Sequence, residues 1–416
     1  MVLDERLTTR LGFLFTGAFL LYIGGINWER GQIFAHPEVA VGIFITFLVG
    51  FGLLFLSVLD LHKTRKYCIL IFLSLVLSLI FSVYVYTQIA IKVYGTDSLA
   101  FSHYSASLVL EGKNPYEHSM LPALEEYEVP PQFTTPMIDG LAVERTSYPA
   151  LSFLIYVPFV WMGLTDMRWV TLLFHVAALS VIYFRSPPVL RPLIILPLFI
   201  VPTFLDYTGG AVTDFLWVVP LVLMVIYMRR TDISGVMFGL ACCIKPTPWF
   251  LAPFLLVWLW KSNESSELKR QLIQLGKFSA ISMATFLAFN FPFIIDNPNA
   301  WYLGVSTPIS GEMIPFGIGL SILTQIDMVS LPQSFYTVSA VVILITLLLN
   351  YYLHFDRIKY AIWLFPAIIL WFSYRSLQSY FIYWIPLLAI SFSIWYVGLP
   401  AQEEGISSCE SKVKET

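Results

Sequence analysis

Asp97 opens a stretch, 97–110, in which Leu99, Ala106 and Leu110 can share one helical face, so its carboxylate stands at the head of a helix. A carboxylate there has two uses: it caps orphan backbone N–H groups, or it takes a proton as a general base. His103, on the same stretch, titrates near neutral pH and is a second proton carrier, unless it is simply packed and hydrogen-bonded. Much later, Lys245 and Arg375 stand in short polar breaks inside apolar sequence. A cation in such a place is expensive alone. Each therefore pairs with an acid, with Asp206, Asp214 and Glu312 at hand, or serves a function.

The elements that position these groups follow from composition. Of 416 residues, 57% are hydrophobic and only 12% charged, with a mean hydropathy of +0.75. An ordinary soluble domain carries about 25% charged residues, so this chain lacks the polar surface to cover a globule of its size. A soluble enzyme, a disordered chain and a collagen-like fibre are poor fits. The formal charge of −3 gives no basic signature for nucleic acid. Cys68, Cys242, Cys243 and Cys409 show neither a disulfide framework nor zinc spacing, and no metal or cofactor constellation stands out. Apolar runs near 20 residues recur from end to end. The expectation is an all-α polytopic membrane protein, one integral-membrane domain over 1–416.

Twelve crossings are expected, at 11–27, 39–59, 67–91, 168–184, 190–205, 211–228, 233–243, 247–260, 278–295, 335–355, 360–372 and 380–397. The first reads as a retained helix, since it follows Asp4 and Glu5 and lacks a clean cleavage site. Segment 148–164 is apolar but short and holds Pro149 and Pro158. If it lies along the outer face, 17 of the 24 Lys+Arg fall inside and both termini are cytoplasmic; if it spans, several basic clusters move outside. The first arrangement is preferred. It leaves 92–167 as a large outer loop with interfacial helices, 296–334 as an outer loop with a re-entrant helix at 316–328, and 398–416 as a cytoplasmic tail. Arg145 and Arg168 then read as interfacial residues meeting lipid head groups.

Several stretches carry a resemblance. Thr96-Asp97, the helix with His103-Tyr104 and Ala106, and Gly112-Lys113-Asn114-Pro115-Tyr116 resemble the first outer loop of the GT-C superfamily of membrane glycosyltransferases. The likeness is closest to glycosyltransferase family 87, the polyprenyl-phosphate-mannose-dependent mannosyltransferases. Tyr148-Pro149-Ala150-Leu151 looks like that family's Tyr-Pro-Pro-Leu, with alanine in place of the second proline. Gly209-Gly210-Ala211-Val212-Thr213-Asp214, the Lys245-Pro246 break and Tyr374-Arg375-Ser376-Leu377-Gln378-Ser379-Tyr380 follow in the same order. Together they cover roughly 96–383.

The resemblance implies a GT-C-like fold and transfer, with inversion, of a hexose such as mannose from a polyprenyl-phosphate donor to a glycolipid or glycan acceptor on the outer face. Asp97 matches the family's catalytic acid residue, with His103 as runner-up base. Lys245 and Arg375 are the candidates for the donor phosphate. Tyr104, Asn114, Tyr116, Asp214, Gln378 and Tyr380 are candidates for sugar or acceptor, although Asp214 serves equally as a helix cap. No cofactor is expected. The competing expectations are a flippase or transporter for lipid-linked sugars, against which stand the single large outer loop and the lack of evident repeats, and a non-catalytic glycolipid-binding protein.

Overall fold

A computed structural model describes residues 5–59, 64–191, 193–194, 202–262 and 267–396. The described chain is helical almost throughout. Its strands among the described residues are two dipeptides, Phe316–Gly317 and Arg375–Ser376, paired in parallel. Seven helices are long and apolar enough to cross a bilayer: Arg6–Arg30, Pro37–Val58, Tyr67–Ala90, Arg168–Arg185, Leu268–Asp296, Gln333–Leu353 and Ser379–Tyr396. This is an all-α membrane protein.

Other expected crossings meet shorter helices. Phe215–Ile226, Thr231–Ile244, Ala252–Ser262 and Phe365–Trp371 have 12, 14, 11 and 7 residues, whereas a hydrocarbon core of about 30 Å needs about 20. They are cut short by turns and 3₁₀ segments, such as Thr247–Leu251 and Lys359–Leu364. The expected crossing at 190–205 and the tail at 398–416 lie largely or wholly outside the described residues.

The two N-terminal helices, Glu5–Arg30 and Pro37–Val58, pack side by side, with Gly17 facing the backbone of Gly50. The second keeps Val41, Phe44, Leu48, Phe51 and Phe55 exposed, as an apolar solvent allows. The central core is aromatic. Trp217, Tyr383 and Trp384 are buried, the two indoles with ring centres 5.1 Å apart, beside Phe204 and Phe215. This core underlies the polar site described below.

Segment 92–167 carries helices Asp97–Leu110, Leu121–Glu126, Leu151–Leu154 and Val157–Trp161. The last two are too short to cross a bilayer. In 296–334, Asn297 caps Pro298–Ser310 by accepting the Ala300 N–H at 3.0 Å. The stretch 316–328, expected as a re-entrant helix, is instead the Phe316–Gly317 strand followed by one helical turn, Ile322–Gln325. Its backbone N–H groups are spent sideways: Phe316 donates to Tyr374 and Ile318 to Ser376. Gly317 makes this approach feasible. Its φ is +141°, and a Cβ there would lie 2.3 Å from the Ser376 carbonyl oxygen.

Candidate active site

A cavity of about 1310 Å³ runs between the 92–167 segment and the later helices. It is lined by Asp97, Asp214, Lys245, Arg375, Gln378 and Tyr380, six of the residues singled out in the sequence. Groups scattered over most of the chain thus share one cavity.

Two loops bring the acids together. Thr96, not Asp97, occupies the N-cap position of Asp97–Leu110, and its hydroxyl donates to the Ala211 carbonyl at 2.8 Å. Gly95 lies against Gly210, where a Cβ would come 2.9 Å from the carbonyl oxygen. Ser98 and Thr213 share a hydrogen bond of 3.3 Å. The 209–213 turn is therefore docked along the segment that carries Asp97, with Ala211 at φ +72°, and leads directly into Asp214.

The Asp97 carboxylate reaches beyond its own helix. Its Oδ2 accepts the Thr135 N–H at 2.6 Å. Burial pushes its proton affinity above the ordinary aspartate range, opposed by the Thr135 bond and by the charge of Arg375. A carboxylate so tuned is better matched to taking a proton from a hydroxyl than an ordinary surface aspartate.

The two cations differ. Lys245 Nζ donates to both Asp214 oxygens, at 2.8 and 2.7 Å, in a pair whose side chains are 7% and 1% exposed. Trp217 Nε1 adds a third bond to Asp214 at 2.7 Å. The Lys245 ammonium lies 5.4 Å from the ring centres of both Tyr148 and Tyr380. Arg375 has no ion pair within 4 Å among the described residues, and its Nη1 is buried without a hydrogen-bond partner. An orphaned guanidinium nitrogen is costly in a closed protein and calls for an anion. Strand pairing with 316–317 holds its backbone in place.

One flank of the cavity is apolar, formed by Phe250, Ile318, Ile322, Ala340, Val341 and Leu344. Ile318, Ile322 and Val341 are 55%, 40% and 51% exposed, so this flank opens outward along Gln333–Leu353. It suits a hydrocarbon chain entering from the side.

Four candidates do not line the cavity. His103 is buried, hydrogen-bonded to the Tyr94 hydroxyl at 3.0 Å and stacked on Tyr127 at 4.6 Å. Burial lowers its pKa to about 4, which keeps it neutral. Asn114 accepts the Tyr116 N–H and donates to Asp296, shaping a turn. Tyr116 is buried, its hydroxyl donating to the Tyr148 carbonyl. Tyr104 packs partly against the core. Gln378 lines the cavity and meets the Tyr207 hydroxyl at 3.0 Å.

Arg168 is where sequence reasoning went furthest astray. Rather than meeting head groups, it is 2% exposed. Its guanidinium donates to the carbonyls of Thr87, Ile91, Lys92, Val93 and Gly209, besides pairing with Asp166. It ties the chain entering Asp97 to the turn entering Asp214. The signal available was its position just after the loop, with Asp166 two residues earlier. Thr135, the other missed residue, meets Asp97 through both its backbone N–H and its side chain, and nothing in its distance along the chain announced the contact.

Among the described residues no group of three or more His, Cys, Asp or Glu side chains is placed to hold a metal. No protein-family model matches the chain, and neither a curated protein nor a solved structure matches it.

Proposed function

We propose that the protein is a glycosyltransferase that moves a hexose such as mannose from a polyprenyl-phosphate carrier to an acceptor hydroxyl. The observation that carries this reading is one cavity holding a tuned carboxylate, a guanidinium whose buried Nη1 has no hydrogen-bond partner among the described residues, and an outward-opening apolar flank.

In this mechanism Asp97 takes the proton from the acceptor hydroxyl as its oxygen attacks the anomeric carbon. The bond from that carbon to the phosphate oxygen breaks on the opposite face, so configuration inverts. Polyprenyl phosphate leaves, and Arg375 holds its growing charge. The apolar flank beds the polyprenyl chain, which reaches the site sideways through the bilayer. The same reading carries a GT-C arrangement of twelve crossings, both termini in the cytoplasm and the cavity on the outer face.

The test is to incubate purified protein in nanodiscs with radiolabelled polyprenyl-phosphate mannose and a lipid extract. Label in a new, chemically distinct product is the expected result. In a parallel assay with the protein in sealed vesicles, label that crosses unchanged identifies a flippase, and label bound without either outcome identifies a non-catalytic binder; both refute the transferase.

A further inference from the structure

Lys245 and Arg375 line the same cavity, yet only one of them is free to meet an anion. Asp214 sits 2.7 Å from the Lys245 ammonium, and the pair is almost sealed from solvent. A phosphate approaching Lys245 meets a carboxylate at nearly the same distance, so attraction and repulsion largely cancel. Among the described residues Arg375 has no carboxylate within 4 Å, and its Nη1 is buried without a hydrogen-bond partner.

What the pair does offer is alternation. Lys245 has three N–H donors, of which two are committed to Asp214, and no other partner for the third exists among the described residues. The Asp214 carboxylate accepts from Lys245 and from Trp217 and keeps further lone pairs. Tyr148 and Tyr380 flank the ammonium at 5.4 Å and also line the cavity, and neither hydroxyl has a hydrogen-bond partner among the described residues. Donors, acceptors and two aromatic faces in one spot match a ring whose hydroxyls both give and accept hydrogen bonds and whose C–H edges stack on π-systems.

We propose that Lys245, Asp214, Tyr148 and Tyr380 form a subsite that reads the hydroxyls of the donor's sugar, while Arg375 alone anchors the phosphate. This rests on the transferase reading above and divides its cavity into a neutral sugar-reading end and a cationic phosphate end. The Lys245–Asp214 pair then sets which epimer is accepted, because a misplaced hydroxyl leaves a buried charged group without its bond.

The test measures binding in nanodiscs without acceptor, so that it does not depend on turnover. Three probes are used: polyprenyl-phosphate mannose, polyprenyl-phosphate glucose and sugar-free polyprenyl phosphate. The variant Lys245→Met/Asp214→Asn removes both charges together, which avoids stranding one buried charge and keeps an acceptor for Trp217. It should hold sugar-free polyprenyl phosphate within about twofold of wild type, while the Kd ratio between the two sugars falls by ~10–100-fold. Arg375→Ala should do the reverse, weakening all three probes by ~10–100-fold with the epimer ratio kept. If the double variant does not fold, Tyr380→Leu provides the same comparison through the flanking ring.

The proposal is overturned if the pair variant loses sugar-free polyprenyl phosphate as Arg375→Ala does, or if it retains the wild-type epimer ratio. A wild type that ignores the epimer overturns it too. Failure of the wild type to bind any of the three probes removes the transferase reading, and the subsite with it, before a variant is made.

Discussion

Replacing Arg168, which does not itself line the cavity, with methionine should cripple turnover. Its guanidinium is 2% exposed and donates to five backbone carbonyls, those of Thr87, Ile91, Lys92, Val93 and Gly209, while pairing with Asp166 at 2.8 Å. Summing these bonds one by one would overshoot, because freed carbonyls relax or recruit water. The better guide is the loss of one member of a buried ion pair, about 3–5 kcal/mol. That energy is released into the two strips that carry Asp97 and Asp214, which are otherwise joined by the Thr96–Ala211 and Ser98–Thr213 bonds. A shift of the base by about 1 Å is enough to lower turnover by about 10²-fold. Steady-state kinetics in nanodiscs should therefore show kcat falling by that order, with a smaller rise in donor KM because Asp214 shifts while Arg375 stays in place. Arg168→Lys restores the charge opposite Asp166 but offers three donors at a single point, so it should recover only part of kcat. Denaturant unfolding in detergent reports the accompanying loss of stability. Wild-type kcat in Arg168→Met, or a rise in KM with kcat kept, would refute the reasoning.

The remaining predictions concern the proton. Asp97→Asn should lower kcat by ~10²–10⁴-fold while donor binding is kept; retained transfer by the purified variant rules out Asp97 as the base. Because the base must be ionised and burial raises its pKa, kcat/KM should drop as pH falls through a value above the ordinary aspartate range. An acid limb at or below that range contradicts the assignment. His103 is held neutral with a pKa near 4, so His103→Gln should leave the pH profile unmoved and affect only stability; a displaced acid limb in that variant would restore it as a base.

How much of this was legible beforehand depends on how each residue is used. Asp97, Lys245 and Arg375 could be picked out because a charge in or beside apolar sequence is costly wherever it lies, and that cost is visible in one dimension. Asp214 and Lys245 were both named, and an ion pair between them was weighed as the alternative to a phosphate role. Their 2.7 Å contact needs the fold to be seen. His103, Asn114 and Tyr116 have residue types that do chemistry, but here they satisfy one another's neighbours: a stacked histidine, an Asx turn, a buried hydroxyl on a carbonyl. Composition cannot distinguish a polar group that serves packing from one that faces a ligand. Arg168 was misread for the opposite reason. Its partners are backbone carbonyls, which every residue has, so no pattern of side chains announces them. The strand at 316–317 escaped because two residues carry no period, and a helix was the better prior for an apolar stretch.

The pairing of 316–317 with 375–376 has a consequence for biogenesis. Asp97 and its docking turn are both made by residue 213, about halfway along the chain, whereas Arg375 arrives near the end and is set by a strand partner that is itself late. Synthesis proceeds from the N-terminus, and early segments fold first. On the proposed function, a partly made chain therefore carries the carboxylate assigned to the proton before it carries the guanidinium assigned to the phosphate. The cavity has all its charged groups only when 375–376 has paired with 316–317, so on that proposal activity would also report that the late part of the chain has taken its place.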